Sequence, residues 1–452
     1  MQRHRRFGLT AIVAAVGLAT AVTNCGESHT AATETTPDTL PTCGIDQPCA
    51  LRESLQHGAH GPEPRTLYVW ASDQARVAPD FLAVIDFDRH SRTYGKVLST
   101  VPVPPPGNVG NEAHHCHTSW NGRVLACGGL LSLLKGQNSF FFFDITHARH
   151  PKFMFSRNAA SSSITDDFVA LPDGGFLVTN MGSATGGAGG RVVELNRSLE
   201  VVAEYPATSP ADGEFNPHGI DVDFRRNLLV TSDFVNPVTT LNVWSGPVEL
   251  RGSVRFWNLD ERRIFRTVFL PDPAGTMDVK LIPGDPHGRA VTANMFTGLV
   301  YTVDPTDGSI AEAFDCETIT PHVDVPVRGG MTQLLAMPRS GRRLIFGLFQ
   351  AGQVGMLDIT DPTRLKQVSV VSFGKDTGPH SIHLTHDDKR LVVTDYFLDQ
   401  DDFGKIHLEG DHKVRVMNVS DAGLEVDPRF QVVDFNTAFA TGPARPHGVG
   451  MR

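Results

Sequence analysis

The sequence predicts an all-β fold, a seven-bladed β-propeller closed by its own last strand. Three observations predict it. Hairpin-like segments recur at intervals of about 50–60 residues, the length of one four-stranded blade. Glycine (43) and proline (30) are abundant, which favours many turns over long helices. The two ends of the chain complement each other. "TLYVWASD" and "DFLAVIDFD" near the start lack a first strand, and the final "ARPHGVGMR" supplies one. Closure of this kind removes the open sheet edge.

Each blade is legible as an alternating apolar run, a polar turn and a second run. After the N-terminal blade come "HHCHTSWNGRVLACGG" with "SFFFFDIT", then "SSSITDDFVALPDGGFLVTNM" with "GRVVELN". "PHGIDVDFRRNLLVTSDF" with "SVRFWNLD" and "GTMDVKLIPGDPHGRAVTANMF" with "GLVYTVD" follow. "GGMTQLLAMPRSGRRLIFGLF" with "QVGMLDIT" and "PHSIHLTHDDKRLVVTDYF" with "KVRVMNVS" complete the series. A chain of 452 residues has the length of two or three domains, but the repeat makes residues 65–452 one domain. Residues 26–64, rich in Thr, Pro and Gly, read as a flexible leader.

Residues 1–25 read as an export signal. "MQRHRR" is a basic start, and "FGLTAIVAAVGLATAV" is apolar but too short for an ordinary membrane span. Simple cleavage near "TNCGES" and acylation of Cys25, giving a lipid anchor, both fit; Arg5-Arg6 hints at twin-arginine export. The expected location is the periplasm or another exported compartment. No other segment is expected to cross a membrane. A net charge of −10 provides no basic field for nucleic acid or anionic lipid. In an oxidising compartment Cys43 and Cys49 are spaced to close a small disulfide loop. Cys116, Cys127 and Cys316 remain; with an odd number, at least one thiol is free or pairs elsewhere.

The histidines carry the functional signal. "NEAHHCHTSW" gathers three of them around one cysteine. Aligning the first strand of each blade puts His114, His218, His380 and His447 at one position, and His117, Asp221, Asp278 and His383 three residues later. First strands line the central channel, so equivalent positions converge near one end of the axis. Convergent neutral imidazoles are what a transition metal requires, at ~2 Å from a common point. His114, His115, His117, His218, His380 and His447 are therefore the candidate ligands. Strand alternation points His115 away from His114 unless the backbone bulges. Asp221, Asp278 and His383 are candidates to orient ligands or move protons. Cys116 reads as a thiolate ligand or as an inert buried cysteine. His287 reads as a turn residue, His90, His147, His150 and His412 as surface residues, and "DQDD" near 399–402 as a solvated loop or a calcium site.

The segments "APDFLAVIDFDRHSRTYGKVLSTVPVP", "NEAHHCHTSW", "GGMTQLLAMPRSGRRLIF" and "GPHSIHLTHDDKRLVVTDYF" resemble the selenium-binding protein family, which includes the methanethiol oxidases. The resemblance covers most of the chain after the leader. It implies a seven-bladed propeller and a copper-dependent periplasmic oxidase that turns methanethiol, dioxygen and water into formaldehyde, hydrogen sulfide and hydrogen peroxide. The family's double histidine maps onto His114 and His115. The chain departs from the pattern at "SSSIT" (Ser161–Thr165), where relatives carry further histidines, and at "LYVWASD", where relatives carry a cysteine.

Three readings follow. The first is a copper oxidoreductase acting on a small thiol with O2. The second is a propeller hydrolase or lyase using zinc or another divalent ion. The third is a non-enzymatic exported propeller that binds a ligand or partner.

Overall fold

The computed structural model describes residues 63–240, 247–399 and 407–452. The export signal, Cys25, the Cys43–Cys49 pair and most of the "DQDD" loop lie outside the described residues. The described residues form seven antiparallel sheets of blade size, as the repeat predicts. The first blade runs, from rim to axis, Val97–Pro102, Phe81–Asp86, Thr66–Asp73 and Ala444–Met451. Its inner strand is thus the end of the chain. Leu67 faces Met451 and Asp73 faces Ala444 across this closure.

The inner strands of the other blades follow in sequence order. They are Ala113–Thr118 (blade 2), Ser162–Ala170 (blade 3), Pro217–Asp223 (blade 4), Thr276–Leu281 (blade 5), Thr332–Ala336 (blade 6) and Ser381–Leu384 (blade 7). Blade 7 leads into a short extra hairpin, Leu398–Asp399 with His407–Leu408. No described helix is long and apolar enough to cross a membrane.

Strand alternation explains how the blades stack. Successive side chains point to opposite faces of a sheet. Leu67 and Val69 pack toward blade 7, against Val392 and Val414. Tyr68 and Trp70, on the other face, meet Leu125, Phe141 and Phe143 of blade 2. The run Phe140–Phe143 is apolar at every position because both its faces are covered. Phe141 and Phe143 face blade 1, and Phe140 and Phe142 join Phe168 and Val178 of blade 3. A strand buried on both faces has to read as a continuous apolar run.

One irregularity recurs where strands meet the axis. The pairing register shifts within the inner strand at Ala113/Cys116, Thr165/Phe168, Pro217/Ile220, Thr276/Asp278 and Thr332/Leu335. In blade 1 the shift falls opposite Val449 and Pro446. A β-bulge re-aims a side chain, and here nearly every blade has one at the same depth. Hydroxyls of the preceding blade secure three of the bulged backbones. Thr179 donates to the His218 carbonyl (2.6 Å), Ser232 to that of Met277 (3.2 Å) and Thr394 to that of His447 (2.9 Å).

Candidate metal centre

The bulges of blades 1, 2 and 4 deliver His447, His114, His115 and His218 to one point on the axis, where His380 joins them from the start of the blade 7 inner strand, each 2% exposed or less. The blade 2 bulge settles the parity of the double histidine. Both rings turn inward and stack with centroids 4.2 Å apart. The His447 ring lies 4.2 Å from His114 and 4.7 Å from His380, centroid to centroid. The His218 ring stands 5.8 Å from His115.

A sixth member lies outside the sequence register. Asp166, fully buried on the inner strand of blade 3, sits among the rings. Its Oδ2 is 2.9 Å from His114 Nε2 and 3.2 Å from His218 Nε2, and its Oδ1 is 3.0 Å from His115 Nδ1. Counting three residues from the strand start selects Thr165 instead. The bulge, with Ile164 at φ 62°, moves the inward-facing position by one. Two consecutive acids in a strand, Asp166-Asp167, were the available signal.

Positioning is built into the backbone. Glu112, two residues before His114, is buried and receives Arg445 (3.1 Å), two residues before His447, together with Arg76 (3.3 Å) and the Tyr396 hydroxyl. This clasp ties the histidine strands of blades 1 and 2. The glycines after His218 and His447 have a steric reason. A Cβ on Gly219 would lie 2.6 Å from Asp278 Oδ1, and one on Gly448 2.2 Å from the His114 carbonyl oxygen. The neighbouring blade passes too close for any side chain there.

Hydrogen bonding fixes one ring. Gln333 donates its amide to the Met331 carbonyl (3.0 Å), which turns its Oε1 to accept from His380 Nδ1 (2.7 Å). His380 Nε2 then points at His447 Nε2, 3.0 Å away. That is the spacing of two donors sharing an ion at ~2 Å each. Burial drives the His380 and His447 pKa values well below the ordinary range and that of His218 down to about 4, so these rings are neutral. His114 is lowered by burial and by His115. For His115 burial also disfavours protonation, but Asp166 and the carboxylates beyond it outweigh it and raise the pKa.

The polar accounting points to a cation. His114 Nδ1, His115 Nε2, His218 Nδ1 and His447 Nδ1 are buried without a hydrogen-bond partner in the protein. Each orphaned group costs about 1–3 kcal/mol. Native cores rarely tolerate such a concentration, whereas a bound cation turns orphaned lone pairs into ligands. His114, His115 and His447 offer donor atoms within 4.8 Å of one another, and so do His114, Asp166 and His218. Among the described residues, these histidines and Asp166 are thus grouped as a metal ion would require.

The cluster separates two cavities. Below it a shaft of about 330 Å³ runs down the axis, where His115, His117, Asp167, Lys280 and His383 stand among apolar side chains such as Ile220, Leu335 and Ile382. Above it an apolar chamber of about 50 Å³ is walled by Met181, Phe234, Met295 and Phe296, with His114, Asp166 and His218 as its floor.

The remaining predicted residues take other places. His117 faces the shaft, exposed, and its Nδ1 donates to the Thr118 carbonyl (2.8 Å), outside the ligand groups. His383 lies in the shaft 3.0 Å from the Ser381 hydroxyl, its pKa pushed down to about 3 by burial. Asp221 and Asp278 clasp blades rather than ligands. Asp221 accepts Leu281 N–H of blade 5 (2.8 Å); Asp278 accepts Leu335 N–H of blade 6 (2.9 Å) and Lys280 Nζ (2.8 Å). Cys116 is not a thiolate ligand, because it forms a disulfide with Cys127 directly across the hairpin. Cys316 is free and buried. His412, expected at the surface, is 3% exposed and held near Asn436 (3.0 Å).

No family model matches the chain. It is similar to a methanethiol oxidase of Hyphomicrobium, 24% identical over 392 residues, covering 82% of this chain and 83% of the relative. It is 22% identical to the methanethiol oxidase of Homo sapiens, covering 82% and 89%. It is also 22% identical to selenium-binding protein 2 of Mus musculus, covering 90% and 95%. Among solved structures it resembles a hypothetical selenium-binding protein from Sulfolobus tokodaii with a TM-score of 0.69, 18% identity and coverage of 87% and 94%. That likeness carries the propeller fold. The resemblance read from the sequence is thus met by relatives spanning most of the chain.

Proposed function

We propose that this protein is a copper-dependent oxidoreductase that oxidises a small thiol with O2, in the manner of the methanethiol oxidases it resembles. The observation that carries the reading is the knot of five buried imidazoles on the axis, several of whose nitrogens have no hydrogen-bond partner in the protein. His114, His218, His380 and His447 would hold the metal, with His115 and Asp166 beside it. Bound there, copper supplies a centre matched to soft sulfur and able to exchange electrons with oxygen. The reaction balances with one molecule each of methanethiol, dioxygen and water giving one each of formaldehyde, hydrogen sulfide and hydrogen peroxide.

The chain's own residues set the conditions. Gln333 fixes the tautomer of His380, so that Nε2 presents its lone pair. Asp166 holds the facing nitrogens of His114 and His218 and offsets positive charge in a fully buried cluster. Glu112 and Arg445 keep the strands of His114 and His447 in register. His383 is the predicted proton-handling group left in the shaft; Asp221 and Asp278 have both carboxylate oxygens occupied. The Cys116–Cys127 disulfide supports the proposal that the protein is exported to an oxidising compartment such as the periplasm.

The test is metal analysis of untagged protein from copper-replete cells, with oxygen uptake on methanethiol. About one copper per chain and peroxide formed with oxygen consumption are expected. Absence of copper ends this reading. Zinc with no oxygen uptake favours the hydrolase or lyase reading. Unchanged function in His218→Ala and His447→Ala favours a binding propeller without catalysis.

A further inference from the structure

We propose that the Cys116–Cys127 disulfide is a positioning element of the metal centre. It locks the bulge that turns both His114 and His115 to the axis, so that high metal affinity exists only in the oxidised chain. The inference rests on the proposed function for the identity of the metal, and adds to it how the double histidine is held.

Pairing on either side of the double histidine fixes the count. Ala113 faces Gly129 and Cys116 faces Cys127, so His114 and His115 together stand opposite Gly128. A regular ladder would pair His114 with Gly128 and His115 with Cys127, and would carry Cys116 on to Ala126. In that register strand alternation sends the two rings to opposite faces of the sheet. Ladder hydrogen bonds re-form after such a slip. The sulfur–sulfur bond does not, because Cys116 no longer faces Cys127. The disulfide therefore forbids the unbulged register. Metal–ligand distances hold to about ±0.2 Å, so a ligand pair free to slip by one residue is lost to the ion.

The bond reaches a third ring as well. Cys116 packs with Tyr68, Trp70 and Leu125 between blades 1 and 2. Its sulfur lies against the closing strand, where a Cβ on Gly448 would be 2.8 Å from it. His114 and His115 directly precede Cys116, and His447 directly precedes Gly448. These three histidines form one of the two donor groups that could hold an ion. At the other end of the bulge Ser72 Oγ accepts the Ala113 N–H (2.6 Å). The double histidine is thus pinned by a hydrogen bond on one side and a covalent bond on the other. Closing the covalent pin takes two electrons and two protons from the two thiols. A small disulfide accepts them and leaves as two thiols while the Cys116–Cys127 bond forms. Such oxidants prevail in exported compartments and not in a reducing cytosol, so the centre tightens where the chain is proposed to work.

The test separates metal affinity from stability. Wild type, the double variant Cys116→Ala/Cys127→Ala and the control Cys316→Ala are titrated with copper(II) against a chelator, with the fold checked by near-ultraviolet circular dichroism. The folded double variant should bind copper at least tenfold more weakly, and its copper EPR spectrum should show fewer bound imidazole nitrogens than that of wild type. Cys316→Ala, which removes the free buried thiol, should match wild type in both. A second arm keeps the test open should the double variant misfold. Wild type is reduced by a phosphine, Cys116 and Cys127 are shown free by peptide mapping, and the chain is titrated with cobalt(II), which does not oxidise thiols. Binding at least tenfold weaker than in the oxidised chain is expected. A lower unfolding midpoint with wild-type affinity and spectrum makes the disulfide a stabilising crosslink only and overturns the assignment. So does equal or tighter cobalt binding by the reduced chain, or an equal loss in Cys316→Ala. If wild type binds no copper, the proposed function itself fails, and the cobalt titration still decides the positioning role. If wild type and the double variant bind copper alike, only the positioning role falls.

Discussion

Gly448→Ala tests the convergence of the histidines most directly. Gly448 follows His447 on the closing strand, and its backbone is not in the left-handed region, so alanine brings contact rather than backbone strain. The new Cβ would lie 2.2 Å from the His114 carbonyl oxygen and 2.8 Å from both the amide nitrogen and the sulfur of Cys116. All three atoms belong to the blade 2 bulge, and the disulfide to Cys127 stiffens that bulge. Relief requires the strands of His447 and His114 to part by about 1 Å to reach ordinary contact distance. Overpacking of this kind costs about 1–3 kcal/mol. The consequence for the metal is sharper, since metal–ligand distances are held to about ±0.2 Å. We expect copper affinity, measured by competition with a chelator, to fall at least tenfold, or about 1.4 kcal/mol. Denaturant unfolding of metal-free protein should show the packing loss separately. Gly187→Ala is the control, because its Cβ would meet only the Ser183 hydroxyl at 3.8 Å. Wild-type stability and copper affinity in Gly448→Ala would refute the argument that this contact sets the ligand geometry.

Three further outcomes are expected. Asp166→Asn removes the anionic partner of His114, His115 and His218; by analogy with ligand-supporting groups, copper affinity should drop about 10–100-fold, read by the same competition, with the fold intact by circular dichroism. Arg445→Met leaves Glu112 buried with a weakened set of partners, and breaking such a pair costs about 3–5 kcal/mol, seen as a lower denaturation midpoint. Cys127→Ser removes a disulfide spanning 11 residues and should cost about 2–4 kcal/mol; thiol titration of the denatured variant should show one more free thiol than wild type.

Much of this architecture was legible because its signals are periodic. The alternation in "TLYVWASD" and the doubly apolar "FFFF" report which faces are covered, and blade stacking covers them as read. The match of "ARPHGVGMR" to "PHG" at Pro217 revealed the closure now seen between Thr66–Asp73 and Ala444–Met451. The register of His114, His218, His380 and His447 survives because all four sit at the same step of a repeated bulge or strand start. What failed, failed at the bulges. One extra residue resets strand parity, so the inward position falls on Asp166 and not on Thr165, which the regular count selects. Three residues past the strand start, Asp221 and Asp278 reach the next blade's backbone, not the ligands. The Cys116–Cys127 pair was readable in principle, since the two cysteines sit equidistant from the Asn121-Gly122 turn. His412 was misplaced because nothing in its neighbourhood announces the clasp with Asn436 that buries it.

The order in which the site is assembled follows from where its parts lie in the chain. Blades 2, 3, 4 and 7 contribute His114 and His115, Asp166, His218 and His380. Blade 6 contributes Gln333, which sets the His380 tautomer. Blade 1 contributes only His447, and that residue arrives on the last strand of the chain, after every other blade has been laid down. Until Ala444–Met451 pairs with Thr66–Asp73, the His380 Nε2 lacks its 3.0 Å neighbour, His447 Nε2, and the Glu112 carboxylate lacks Arg445. Ring closure therefore completes the candidate ligand set, and the binding free energy that His447 supplies is coupled to folding of the first blade. A chain truncated after residue 443 should accordingly lose the metal and the closed first blade together, whereas His447→Ala should lose affinity while the strand still pairs. A truncated chain that keeps wild-type copper affinity would break the link between the two.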